Sequence, residues 1–232
     1  MNNYNDDAYY TIKDNHMFAT VMSDEEILKE LLRRIFPEKK IDKLEIVGVK
    51  EQRHFEDLFN FPNTMVHAED DENIYNIEML RYVETEHLLA RSRCYQANLD
   101  MLAFMNNDHY YDLKNNNVIF VCDSDPFGDK QYKYTFKSAC VDGDVDLNYG
   151  QTTIFLNTRG EKGEISEGLK EFLEYVRDEK MRLEDNYLKN IDELVKNNNE
   201  DSRWRRLERS LEITLENAEA RGESRAREKG DF

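Results

Sequence analysis

Five consecutive apolar residues, Val118-Ile119-Phe120-Val121-Cys122, constrain this chain more than any other feature. The run is short and has no polar residue to turn toward solvent, so it reads as a central strand buried on both faces. Such a strand needs covering layers above and below, which is the layering of an α/β domain. It ends at Asp123-Ser124-Asp125-Pro126-Phe127-Gly128, a stretch of turn formers. That turn also gives the simplest account of Asp123 and Asp125, although strand ends of this kind often meet ligands.

The remaining elements follow from periodicity. A helix is predicted over about 24–36, with Ser23 and Glu26 as a capping box, Ile27, Leu28, Leu31, Leu32 and Ile35 as its apolar face, and Pro37 as its stop. Lys43 to Val49 is predicted as a strand through Leu44, Ile46 and Val47. Residues 64–69 and 73–80 form an expected hairpin whose solvated tip is Glu69-Asp70-Asp71-Glu72. Leu88, Ser92, Tyr95, Leu99, Leu102 and Ala103 recur three or four apart, predicting a helix over about 87–106. Residues 131–136 alternate as a half-exposed strand, Thr152 to Leu156 supply another, and a helix starts at Ser166 with Leu169, Phe172, Leu173 and Val176 on one face. Residues 50–63 scatter Phe55, Phe59 and Phe61 among charges without a period.

The hydrophobic fraction of 39%, with 13 Tyr and 12 Phe, supports a sizeable core for the first part of the chain. We expect one domain over 1–180 and a charged helical extension over 181–232. Asn197-Asn198-Asn199 reads as a break in that extension. Residues 202–230 carry a thin stripe of Trp204, Leu207, Leu211 and Ala218 among balanced charges. Their expected role is to meet a second copy or a partner, without completing the core.

A net charge of −17 works against unassisted binding of nucleic acid, whose affinity comes from Lys and Arg meeting phosphates. Cys94, Cys122 and Cys140 lie far apart without ligand spacing, and the five histidines are scattered. Zinc and a disulfide framework are therefore not expected, and a reduced, cytoplasmic setting is. No apolar run approaches membrane-spanning length.

One strand stands out chemically. Asn73-Ile74-Tyr75-Asn76-Ile77-Glu78-Met79-Leu80 sets a single carboxylate, Glu78, into a buried-looking run. A charge there serves a metal, a proton transfer or a salt bridge with an arginine such as Arg81 or Arg93. The order helix, strand, hairpin, helix, strand resembles the PD-(D/E)XK nuclease core. The phrases Lys13-Asp14-Asn15-His16-Met17-Phe18, Tyr75-Asn76-Ile77-Glu78-Met79, Arg91-Ser92-Arg93-Cys94-Tyr95-Gln96, Val118 to Gly128 and Thr153 to Thr158 resemble the recombination-promoting nuclease or putative transposase family within it.

That resemblance implies an α/β restriction-endonuclease-like core, a mixed sheet flanked by helices, with a C-terminal helical extension. It also implies Mg²⁺-dependent phosphodiester hydrolysis, with an Asp early in the hairpin and a Glu on its second strand holding the metal. A Lys or Gln two residues after the Glu shares its face of the strand and orients the attacking water. Glu78 matches the metal-binding Glu. The Asp position falls at Thr64, which a three-residue turn would pair with Glu78, and the Lys or Gln position falls at Leu80.

Glu56 and Asp57, just before the hairpin, are the acids that remain to replace the missing one. Arg91, Arg93 and Gln96 lie on the helix from which such a fold meets nucleic acid or a protein partner. Two arginines two apart diverge by about 200°, so at most one points at Glu78. Tyr95 is expected in the core. The expectation is thus a nuclease scaffold with weak Mg²⁺ binding or none, acting by binding nucleic acid or a protein as a regulator or inhibitor. The alternative is an active Mg²⁺-dependent DNA endonuclease with a displaced acid.

Overall fold

The computed structural model describes residues 9–47, 65–82, 85–105, 109, 112–145, 150–178, 184–206 and 209–210. Helices α1 (Asn15–Met22) and α2 (Glu25–Ile35) come first. They precede strands β1 (Glu45–Ile46), β2 (Met65–Glu69) and β3 (Asn73–Leu80) and helix α3 (Thr85–Met105). Strands β4 (Asn115–Cys122), β5 (Lys133–Phe136) and β6 (Gln151–Asn157) then lead to helices α4 (Glu167–Arg177) and α5 (Asn186–Glu200).

The six strands form one sheet in the order β1-β2-β3-β4-β6-β5. The β3–β4 and β4–β6 pairs are parallel and the other three antiparallel, so the sheet is mixed. The apolar run lies in β4, between β3 and β6, where both faces are covered. On one face Tyr75, Ile77, Met79, Ile119, Val121, Ile154 and Leu156 join the apolar sides of α1, α2, α4 and α5. On the other, Ile74, Leu80, Val118, Phe120, Cys122 and Phe155 meet Leu88, Tyr95 and Leu99 of α3. The α/β layering with helices on both sides is as expected from the sequence.

Several local expectations are corrected. Helix α2 is capped by Asp24, whose carboxylate accepts the backbone N–H groups of Glu26 and Ile27. Ser23 instead closes α1, its hydroxyl donating to the Ala19 carbonyl at 2.7 Å. Helix α1 was not expected at all, because its eight residues are too few to show a period. It is fixed by Asp14 as cap and by burial of Met17, Phe18, Val21 and Met22.

Helix α5 runs straight through Asn197-Asn198-Asn199. Asn199 behaves as a surrogate strand partner for Tyr10, its Oδ1 accepting the Tyr10 N–H and its Nδ2 donating to the Tyr10 carbonyl, both at 2.8 Å. Tyr187, Leu188, Ile191 and Val195 belong to the main core, so position 180 does not mark the edge of that core. Trp204 packs on it too, edge to face with Tyr10 and donating Nε1–H to the Thr20 hydroxyl at 3.1 Å. The start of the segment expected as a docking tail therefore serves the fold. Residues 211–232 lie outside the described residues.

The hairpin register also differs. Asp70 closes the turn, accepting the N–H groups of Glu72 and Asn73 and the hydroxyl of Tyr75. Glu69 therefore pairs with Ile74, and Met65, not Thr64, stands opposite Glu78. Thr64, Glu56 and Asp57 lie outside the described residues.

Candidate functional site

Strand β3 is buried at every position, and Glu78 is 1% exposed. Its lateral neighbours in the sheet are Met65 and Phe120, with Phe155 one strand beyond Phe120. Because side chains alternate across a strand, Glu78 points with Ile74 and Leu80 into the smaller core under α3. A carboxylate in that setting needs charged or hydrogen-bonded partners.

Helix α3 supplies them. Arg91 Nη2 donates to Glu78 Oε1 at 2.5 Å, and the Tyr95 hydroxyl donates to Oε2 at 3.1 Å. Arg91 Nε also donates to the Tyr95 oxygen at 2.6 Å. Residues 91 and 95 are one turn apart, so a single helix face delivers both groups. Tyr95 stacks on Phe120, which stacks on Phe155, forming the apolar wall behind the carboxylate.

Burial, and then the negative charge of Glu78, push the Tyr95 phenol far above its ordinary range. It is therefore a permanent hydrogen-bond donor. Burial likewise pushes the Cys122 thiol up, reinforced by the charges of Glu78 and Asp125, so Cys122 is an inert core residue.

The sequence candidates are thus sorted by angle. Arg91 faces the carboxylate and Arg93 is exposed, as their divergence around the helix requires. Arg81 is exposed beside Tyr82 and does not pair with Glu78. Gln96 turns away to β6, its Nε2 donating to the Thr152 carbonyl and the Thr153 hydroxyl. Leu80 is buried among apolar neighbours.

At the carboxyl ends of β4 and β6, Asp123 meets Lys13 at 3.2 Å, and Arg159 Nε donates to its carbonyl at 2.6 Å. Sequence reading missed this cluster, whose members lie far apart in the chain. Asp125 is a turn residue, accepting from Phe127 N, Lys130 N and the Tyr134 hydroxyl, with Gly128 at φ +77°.

A divalent cation at Glu78 is a poor fit to these neighbours. Both carboxylate oxygens are engaged by donors, the adjacent Arg91 guanidinium repels a second positive charge, and Met65 and Leu80 bring no hard oxygen. Among the described residues, no three of His, Cys, Asp and Glu gather as a metal-holding group. No described helix is long and apolar enough to cross a membrane. The chain matches no family model, no curated protein and no solved structure.

Proposed function

We propose that this chain is a PD-(D/E)XK nuclease-like scaffold, similar to the recombination-promoting nuclease family, that acts by binding a protein partner and not by cutting nucleic acid. The observation that carries this reading is the Glu78–Arg91–Tyr95 cluster. At the position where a nuclease of this kind would hold Mg²⁺, the carboxylate is consumed by an internal ion pair, and Leu80 replaces the group that would orient water. A leucine can neither donate nor accept a hydrogen bond, so an attacking water is left unpositioned.

A protein partner is favoured over nucleic acid by the net charge of −17. Exposed Leu89, Met101 and Phe104 on α3 add apolar surface suited to such a contact. The deciding experiment is plasmid nicking with Mg²⁺ or Mn²⁺, comparing the wild-type protein with Glu78→Gln. We expect both to leave supercoiled DNA at the level of buffer alone. Metal-dependent cutting that Glu78→Gln removes would restore the endonuclease reading. Retention of duplex or single-stranded DNA in a mobility shift at physiological salt would replace the protein partner with nucleic acid.

A further inference from the structure

A second site lies at the other end of the sheet, roughly 16 Å along β3 from Glu78 at the usual rise per residue. There the amino-terminal ends of β3, β4 and β6 open into a cleft of about 820 Å³, lined by Lys39, Lys133, Asn73, Asn117, Thr135 and Thr152 among others. Lys39 Nζ donates to Asn73 Oδ1 at 2.8 Å and reaches Asn117 Oδ1 at 3.5 Å. It also lies over the rings of Phe36 and Tyr75, at 4.5 and 5.6 Å from their centroids. Lys133 Nζ donates to the Ile35 carbonyl at 2.7 Å and stands 5.5 Å from the centroid of the same Phe36 ring.

Two half-buried ammonium groups therefore approach the same aromatic ring, and their hydrogen-bond acceptors are neutral oxygens. Neither forms an ion pair with a described carboxylate. Asp70, which also lines the cleft, has its oxygens turned to Glu72 N, Asn73 and Tyr75. Lys40 is paired with Asp42. For Lys39 the cost of desolvation outweighs the nearby charges of Asp70, Glu38 and Glu72, and for Lys133 it outweighs that of Glu38, so an incoming anion would offset the remainder.

We propose that this cleft binds a small phosphorylated molecule, its phosphate held by Lys39 and Lys133 and its organic part set against Thr135 and Thr152. The cations of the cleft are all lysines, Lys39, Lys40, Lys43, Lys133 and Lys137. Lysine is a compact point charge that binds a tetrahedral phosphate without the fixed bidentate geometry of arginine. The volume falls in the range of small-molecule sites and far exceeds one phosphate ion. Hydroxyl and amide walls suit a polyol. The acidic rim of Glu38, Asp71 and Glu72 opposes a long polyanion, so a nucleic-acid strand is not the ligand. Burial holds both lysines below their ordinary pKa, which agrees with a cationic site completed by an anion.

Isothermal titration of the full chain with ribose 5-phosphate tests this, with ribose, inorganic phosphate and succinate as comparisons. Ribose 5-phosphate should bind, inorganic phosphate more weakly, and ribose and succinate not at all. Lys39→Met and Lys133→Met should each weaken ribose 5-phosphate by about tenfold or more, the loss of one charged hydrogen bond. Lys162→Met, whose lysine pairs with Asp129 away from the cleft, should bind as wild type does. No binding at millimolar concentration, equal binding of ribose or succinate, or full retention by both cleft variants would overturn the proposal. Should the cleft variants fail to fold, acetic anhydride labelling of the wild-type protein decides the matter. Ribose 5-phosphate should slow modification of Lys39 and Lys133 several-fold and leave Lys162 unchanged, and absence of that protection would equally overturn it. None of these outcomes depends on the reading of Glu78.

Discussion

Glu78 and Arg91 are partners with unequal alternatives. The Arg91 side chain is 24% exposed and can swing toward water, whereas that of Glu78 is 2% exposed and cannot. Arg91→Ala should therefore cost about 3 kcal/mol, the penalty of stranding a buried carboxylate, and Glu78→Leu should cost clearly less. Urea unfolding of the two variants measures the asymmetry, and equal losses would show that Glu78 depends on the pair no more than Arg91 does. Asp70 gives a pH-dependent counterpart. Burial works to raise its carboxyl, but hydrogen bonds from Glu72 N, Asn73 and the Tyr75 hydroxyl outweigh burial and hold it below the usual carboxylate range. A carboxyl lowered by folding stabilises the protein fully above its unfolded pKa and loses that stabilisation as pH falls through the folded value. Asp70→Asn should thus be less stable than wild type by about 2 kcal/mol at neutral pH, and the gap should close as acidification passes the lowered folded value. A gap that stays constant with pH would assign the effect to packing instead. The sequence located Glu78 but not its partner, because choosing among Arg81, Arg91 and Arg93 needs the angle at which α3 crosses the sheet.

At the scale of elements, amphipathic segments were legible and polar ones were not. Helices α2 and α4 show clear apolar faces; α2 begins and ends close to its expected limits, and α4 begins where Ser166 predicted. Helix α5 is polar on average, yet it places Leu188, Ile191 and Val195 in the core at 1% exposure or less. The helical extension was expected, but its three asparagines read as a break, since the reason Asn199 tolerates burial is a contact with Tyr10, distant in the chain. Ile191→Ala should destabilise the domain by about 3 kcal/mol, and truncation after Asp201, which removes Trp204, by about 1–2 kcal/mol. Thermal or urea unfolding of both would check this. A truncated chain as stable as the full one would return residues beyond 201 to the role of a detachable extension. The hairpin shows the same limit. Its two strands are evident, but the register moved by one residue because the Asp70 side chain builds a longer turn than the acidic run suggested.

For the whole molecule, one sheet separates two cores of different size, and the two candidate sites lie on opposite sides of it. The cluster on Glu78 lies beneath α3, while the lysine cleft opens at the amino ends of the parallel strands. The sequence by itself determined the α/β layering, the order of most elements and the isolation of one carboxylate in a buried strand. These are properties of short segments, fixed by apolar runs and turn residues within a few positions of one another. Only the tertiary structure decided that Arg91 and Tyr95 hold Glu78, that Met65 stands opposite it, and that Lys133 reaches the ring of Phe36. Those pairings join residues 13 to 97 positions apart, and their geometry depends on strand register and helix rotation, which no local pattern encodes.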